Sequence, residues 1–116
     1  MTGIKDLFRW QHGRQESGYH KMLLAGATWP VKFDLYILKF PEGCELAPHT
    51  DNVEYGKHYR LNIVLKHAVE GGEFICDSPI YSSRRVKFFR PDLSEHSVSK
   101  VVTGNRFILS LGWVRN

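Results

Sequence analysis

Residues 97–114 read SVSKVVTGNRFILSLGWV, a stretch dense in β-branched and large apolar side chains. Such residues are typical of β-strands, and a glycine–asparagine pair between two apolar runs is a hairpin signal. We therefore predict strands at 97–102 and 105–114, joined by a tight hairpin turn at Gly104 and Asn105. Because strand side chains alternate between faces, Arg106, Ile108 and Ser110 share one face of the second strand.

The chain before this stretch repeats the pattern of short strands separated by turns. Strands are predicted at 31–40, 45–49, 60–66, 73–76 and 86–89. Turn residues separate several of them, as at 41–43 and 71–72. Many short strands with regular turns favour a mainly β sandwich or barrel. We place the barrel core at about residues 31–114 of a single domain that covers residues 1–116.

The segment before residue 31 has a different pattern. Ile4, Leu7 and Trp10 recur at three-residue spacing, which is typical of one face of an amphipathic helix. We therefore predict a short N-terminal helical segment ahead of the strands.

Composition limits the class of protein. A chain of 116 residues holds one domain with a modest core. No apolar run approaches the roughly 20 residues of a membrane span, and the first residues lack the apolar core of a signal peptide. We expect a cytoplasmic protein with no membrane partner, in which Cys44 and Cys76 stay reduced. The net charge of +4 neither requires nor rules out a nucleic-acid partner.

Three side chains are candidate ligands of a metal ion. His49 and Asp51 share a face of an extended segment, and two histidines with one carboxylate form the facial triad of iron(II) oxygenases, which leaves positions open for a co-substrate and oxygen. His96 is well placed to supply the second imidazole. His58, close to Asp51 in sequence, is the rival for that role.

Arg106 lies ten residues after His96, inside an apolar strand. A buried arginine requires an anionic partner, and its planar fork matches a carboxylate. A ligand carboxylate would meet that need, whereas a structural salt bridge is the alternative.

These features together resemble the iron(II)- and 2-oxoglutarate-dependent oxygenases, in particular their prolyl-hydroxylase-like branch. The resemblance runs from about residue 36 to 113. The motifs that carry it, in family order, are KFPEG at 39–43, PHTD at 48–51, RLNIVL at 60–65, EGGEF at 70–74, EHSV at 95–98 and GNRF at 104–107.

The resemblance implies a double-stranded β-helix, a jelly-roll barrel like that of the cupins. It also implies a dioxygenase that hydroxylates a C–H bond with iron(II), 2-oxoglutarate and O2. The substrate would be a prolyl or other amino-acid side chain in a protein, a free amino acid or a nucleobase. It assigns His49, Asp51 and His96 as metal ligands, since the family takes its third ligand from the penultimate strand. Arg106 would then bind the distal carboxylate of 2-oxoglutarate.

Two positions depart from the pattern of that branch. Phe40 stands where a tyrosine usually helps to hold 2-oxoglutarate, and Phe74 stands where a threonine usually follows the Gly-Gly-Glu turn. Tyr36, on the same strand face as Phe40, and Ser110, on the face of Arg106, are the hydroxyls we predict for co-substrate binding.

Two other interpretations of the site stay open. The first is a non-catalytic jelly-roll that binds or supports a partner and retains the metal site. The second is a cupin-like metalloenzyme without 2-oxoglutarate, although such sites usually carry a His-x-His pair, which this sequence lacks. The sequence leaves the substrate and the oligomeric state open.

Overall fold

The computed structural model describes residues 7–12, 18–53 and 55–115. These residues contain no helix, and so none that could cross a membrane. They form strands β1 (Trp10–His12), β2 (His20–Ala27), β3 (Lys32–Phe40), β4 (Leu46–His49), β5 (Lys57–Lys66), β6 (Glu70–Gly71), β7 (Phe74–Cys76), β8 (Tyr81–Ser82), β9 (Val86–Phe89), β10 (His96–Val98), β11 (Val101–Thr103) and β12 (Arg106–Arg115).

The strands belong to two main sheets. The large sheet is antiparallel in the order β1-β2-β3-β12-β5-β9-β8, and the smaller one has the order β4-β10-β7. A third, two-stranded ladder pairs β6 with β11. Side chains from both main sheets line one cavity between them. This is the predicted double-stranded β-helix, or jelly-roll, and the prediction of a mainly β fold is confirmed.

Strand β12 is the central strand of the large sheet. It pairs with β3 along nine residues, from Arg106 opposite Phe40 to Val114 opposite Lys32, and with β5 on its other side. Its inward residues Arg106, Ile108 and Ser110 are only 5%, 1% and 1% exposed. The alternation predicted for this strand therefore sets which side chains enter the cavity.

An apolar cluster closes the barrel beside Arg106. It consists of Phe40, Cys44, Val64, Val98, Val101 and Ile108, all buried. Burial raises the pKa of the Cys44 thiol to about 11, with a smaller contribution from the charge of Glu45, so the thiol is protonated at neutral pH.

The predicted N-terminal helix is wrong for the described part of that segment. Trp10–His12 is a strand that pairs with β2, and Leu7 bridges Leu23; Ile4 lies outside the described residues. A short helix gains little from its own hydrogen bonds, whereas pairing with the sheet satisfies the backbone of an equally short strand.

The hairpin prediction at Gly104 and Asn105 is also wrong. Strand β11 pairs with β6, while β12 pairs with β3 and β5, so the turn carries the chain from one sheet to another. Gly104 has a φ of +84°, and its N–H donates to Glu42 Oε2 at 2.8 Å. The sequence predicts the turn itself correctly, but not the partners of the two strands.

Gly71 fixes the approach of β6 to β11, and its replacement offers a test of this pairing. Its φ is +78°, and a Cβ there would lie 2.1 Å from the carbonyl oxygen of Lys100. We expect Gly71→Ala to lower the free energy of unfolding by about 3 kcal/mol, since a left-handed backbone costs about 1–2 kcal/mol and a backbone overlap costs about as much again.

Gly43→Ala is the control, because Gly43 has a similar φ of +85° and a Cβ added there would meet no other atom within 4 Å. It should cost only the left-handed backbone term, about 1–2 kcal/mol. Urea denaturation of both variants measures the difference. Equal losses at the two positions would contradict the close approach of β6 and β11.

Candidate metal centre

The two histidines of the predicted triad face each other across the small sheet. His49 ends β4 and His96 begins β10, and the two residues are direct partners in the strand register, with ring centroids 4.3 Å apart. Asp51 follows two residues after His49. Its backbone N–H donates to the carbonyl of Pro91 at 2.7 Å, which ties the loop after β4 to the loop before β10.

The donor atoms of this triad converge. Asp51 Oδ2 lies 3.4 Å from His96 Nε2, and Asp51 Oδ1 lies 3.6 Å from His49 Nε2. One ligand atom from each residue can be chosen so that all three lie within 4.8 Å of one another. Metal–ligand bonds of about 2.1 Å, at the angles of tetrahedral or octahedral sites, separate ligand atoms by about 3.0–3.4 Å. The group can therefore hold a metal ion with small side-chain adjustments.

Backbone hydrogen bonds fix both imidazole rings. His49 Nδ1 lies 2.7 Å from the carbonyl oxygen of Ala47, and His96 Nδ1 lies 2.9 Å from that of Ser94. A carbonyl only accepts, so each Nδ1 carries the proton and each Nε2 presents its lone pair. Outer contacts of this kind set the tautomer and orientation of metal-binding histidines.

Aromatic rings pack around His96. Its ring lies 4.9 Å from that of Phe89 and 6.2 Å from that of Phe74, and the residue is buried. Phe74 thus packs against a candidate metal ligand and offers no hydroxyl to the cavity. This packing keeps one side of the site dry.

A cavity of about 320 Å³ connects the triad with the inner face of the large sheet. His49, Asp51 and His96 line one part of it, and Arg106 lines another. The other lining residues that concern the chemistry are Tyr19, Lys21, Asp34, Tyr36, Phe40, His58, Arg60, Asn62, Phe74 and Ser110. One cavity therefore joins the candidate metal ligands to a buried cation.

Arg106 is 5% exposed, and its guanidinium lies 5.4 Å from the centre of the Phe40 ring. Burial lowers its pKa to about 10, against a smaller opposing effect of Glu73, so the side chain is still charged at neutral pH. Among the described residues, no carboxylate forms an ion pair with it and no side-chain hydrogen bond holds it. This part of the cavity suits an anion.

The other two predicted co-substrate residues lie further along the sheet. Ser110 is the register partner of Tyr36. This pair lies four residues along the strands from the pair of Arg106 and Phe40. The Ser110 hydroxyl accepts a hydrogen bond from Arg60 Nη1 at 2.7 Å. The Nζ of Lys21 lies 5.1 Å from the centre of the Tyr36 ring. Both residues line the cavity, but both are engaged by a cation.

His58, the rival ligand, lies outside the converging group. Its Nε2 is 3.5 Å from Arg60 Nη2, on the wall formed by the large sheet. Among the described residues, the group able to hold a metal contains His49, Asp51 and His96 and omits His58.

Sequence analysis missed several residues that line the cavity. Arg60 of β5 and Asp34 of β3 form an ion pair at 2.8 Å across Gly112 of β12, on the inner face of the large sheet. Tyr19 stacks on Phe40 with ring centroids 4.9 Å apart. Period-two alternation places Arg60 on the same strand face as Asn62, but it does not reveal the pairing with Asp34. Tyr19 falls in a segment with no strand prediction.

Comparison with solved structures finds the same fold in proteins that include cupins. KdgF from Halomonas sp. is 16% identical over 93% of this chain and 87% of its own, with a TM-score of 0.60. A predicted oxalate decarboxylase from Thermotoga maritima is 16% identical over 84% of this chain and 81% of its own, with a TM-score of 0.58.

A cupin-superfamily sugar phosphate isomerase from Silicibacter pomeroyi is 15% identical over 85% of this chain and 60% of its own, with a TM-score of 0.55. No protein-family model and no curated protein matches the sequence. Identities this low show the fold alone, so function has to be argued from the site.

Metal binding should depend on Asp51 and not on His58. Loss of a residue that only hydrogen-bonds to a metal ligand typically weakens metal binding by about 10–100-fold. Asp51→Ala removes a direct ligand, so it should weaken Co(II) or Mn(II) binding by about 100-fold or more. Titration calorimetry measures this, and the rise in melting temperature with added metal provides a second readout. His58→Phe is the control. An equal loss in that variant would move the site to His58.

The buried charge of Arg106 should cost stability. Replacement of an uncompensated buried ion by an apolar side chain of similar size typically stabilises a fold, so Arg106→Met should raise the free energy of unfolding by about 1–3 kcal/mol. The exposed Arg84 provides the control, since Arg84→Met should change stability by no more than about 0.5 kcal/mol. Urea denaturation in the absence of ligands measures both. A loss of stability in Arg106→Met would mean that the fold itself supplies the counter-charge.

Proposed function

We propose that this chain is an iron(II)- and 2-oxoglutarate-dependent dioxygenase that hydroxylates a C–H bond. The observation that carries the proposal is the position of Arg106, a buried cation that shares one cavity with the His49–Asp51–His96 triad. A metal site alone has no use for such a cation. A co-substrate that chelates the metal at one end and carries a carboxylate at the other gives both features a purpose.

The triad suits the metal. Two imidazole nitrogens and one carboxylate are the ligands of the facial iron(II) site, and three protein ligands leave other positions for co-substrate and oxygen. Iron(II), when bound, supplies the oxygen activation that no side chain can provide. The role of this chain is to hold His49 and His96 in the correct tautomer and to bring Asp51 between them.

Arg106 suits the distal carboxylate of 2-oxoglutarate. Its fork can donate two parallel hydrogen bonds, and a buried site strengthens them. The charges also balance, since the metal ion and Arg106 together offset Asp51 and the two carboxylates of the co-substrate. The second arginine of the cavity, Arg60, is already paired with Asp34. Arg106 is therefore the arginine with capacity for an added anion.

Tyr19 supports the proposal at the position where the sequence departs from the prolyl-hydroxylase-like pattern. The family's usual tyrosine is replaced by Phe40, and the ring of Tyr19 stacks directly on Phe40 at the border of the cavity. Another segment of the chain thus adds a phenolic side chain to the cavity that Arg106 lines. In this arrangement Phe40 supports both the guanidinium and the tyrosine ring.

Anaerobic titration of the iron(II)-loaded protein with 2-oxoglutarate tests the proposal. We expect a visible metal-to-ligand charge-transfer band that saturates as the co-substrate chelates the metal. Arg106→Met should weaken 2-oxoglutarate binding by about 100-fold, since charge-assisted hydrogen bonds are worth about 1.5–3 kcal/mol each. It should leave iron affinity unchanged, because Arg106 is not a candidate ligand.

Arg84→Met is the control here too, since Arg84 is exposed and does not line the cavity. Its titration should match that of the parent protein. Absence of the band in folded, iron-loaded protein would overturn the dioxygenase proposal and favour a cupin-like metal protein that does not use 2-oxoglutarate. A normal band in Arg106→Met would remove the proposed role of the arginine.

A further inference from the structure

The inward face of β5 contributes a polar wall to the cavity. His58, Arg60 and Asn62 occupy alternate positions on this strand, and all three line the cavity that the triad also lines. The outward residues between them are apolar or aromatic. Three polar residues in succession on an inner face are unusual for a packed barrel and indicate contact with something polar.

Arg60 is the fixed centre of this wall. Its Nη2 donates to Asp34 Oδ1 at 2.8 Å, and its Nη1 donates to Ser110 Oγ at 2.7 Å. Its register partner is Gly112, where an added Cβ would lie 2.1 Å from Nη2. The guanidinium therefore occupies the space that a side chain at position 112 would take. Asp34 and Arg60 cancel in charge.

His58 presents an unused hydrogen-bond donor. Its Nε2 faces the donor Arg60 Nη2 at 3.5 Å, which leaves the proton on Nδ1. Burial, followed by the charge of Arg60, lowers the pKa of the ring against the opposing effects of Asp34, Asp51 and Asp92, so the imidazole is neutral. The Nδ1 atom is buried and has no hydrogen-bond partner among the described residues.

Asn62 presents an unused acceptor. Its Oδ1 is also buried without a hydrogen-bond partner in the described part of the chain. Buried polar atoms are satisfied in the large majority of native structures, and each exception costs stability. Among the described residues, only His58 and Asn62 have buried side-chain nitrogen or oxygen atoms without a hydrogen-bond partner, and both residues line the same cavity.

We propose that His58 and Asn62 determine substrate specificity by binding an uncharged substrate through its amide groups. His58 Nδ1 and Asn62 Oδ1 are both closed off from the cavity in the structure, although their residues line it. On binding, the two side chains turn toward the cavity, so that a carbonyl oxygen accepts from His58 Nδ1–H and an N–H donates to Asn62 Oδ1. An apolar substrate would leave both atoms unsatisfied. A charged group would find no counter-charge on a wall whose ion pair is neutral and whose imidazole is neutral.

The spacing of the two residues indicates more than one amide. His58 and Asn62 are four positions apart on one strand, which places their Cα atoms about 13 Å from each other. Two amide groups on either side of one carbon meet that separation better than a single amide does. The inference depends on the proposed function only in calling the bound molecule the substrate, because the binding itself can be measured without turnover.

Nuclear magnetic resonance titration of this 13.4 kDa protein tests the inference. The probe is N-acetyl-L-alanine N-methylamide, which is uncharged and has two amides. The comparison compounds are N-acetyl-L-alanine methyl ester, which lacks one N–H, free L-alanine, which is charged, and uridine. Each is titrated with and without Zn(II) and 2-oxoglutarate, and the resonances of the Asn62 side-chain amide and the His58 imidazole are followed.

We expect the diamide to cause saturable shifts at both side chains, the ester to bind several-fold more weakly, and free alanine and uridine to cause none. Asn62→Leu and His58→Phe should each weaken diamide binding about tenfold, the value of one hydrogen bond to a buried group. Both should melt at the same temperature as the parent or higher, since each removes an unsatisfied polar atom. His12→Phe, exposed on β1 and outside the cavity, should change neither property.

Three results would overturn the inference. These are no saturable shift with the diamide, tighter binding of uridine or free alanine than of the diamide, and unchanged diamide affinity in both variants. A lower melting temperature in both variants would instead assign the two side chains a structural role. Diamide binding that depends on His58 and Asn62 would support the inference even if the protein did not bind 2-oxoglutarate. Failure of the 2-oxoglutarate titration would count only against the proposed dioxygenase activity.

Discussion

The arrangement of the whole site depends on the antiparallel pairing of β12 with β3 on one side and β5 on the other. This double register places Arg106 opposite Phe40 and Ser110 between Tyr36 and Asn62. A slip of one residue would turn the outward apolar residues of β12 into the cavity and expel the arginine. The backbone hydrogen bonds therefore determine which side chains form the inner face. Those side chains include the buried polar groups that lower the stability of the fold.

Polar groups without partners are concentrated in one place. Arg106 has no counter-charge among the described residues, and His58 and Asn62 each bury an unsatisfied atom. All three line the cavity next to the His49–Asp51–His96 group. Natural proteins keep such costly features mainly where a ligand offsets them. A polar, anionic ligand in this cavity would offset the cost of these unsatisfied groups.

Alternation was enough to predict a mainly β fold and to place His49 and Asp51 on one face, whereas the jelly-roll topology and the choice of His96 over His58 came from the family resemblance. His49 and Asp51 are two apart at a strand end, and Arg106 lies inside an obvious strand, so local pattern sufficed. The pairing of Arg60 with Asp34, the stacking of Tyr19 on Phe40 and the exit of Gly104 into another sheet all depend on which strands become neighbours. Short segments do not encode that choice locally, and for the same reason the segment around Trp10 was mistaken for a helix.

The most direct test of the account is a crystal structure of the protein with Mn(II), in place of iron(II), and 2-oxoglutarate. The account predicts that His49 Nε2, Asp51 and His96 Nε2 bind the metal, that 2-oxoglutarate chelates it through its keto acid end, and that the other carboxylate pairs with Arg106. A metal held by His58, or a distal carboxylate bound away from Arg106, would contradict it.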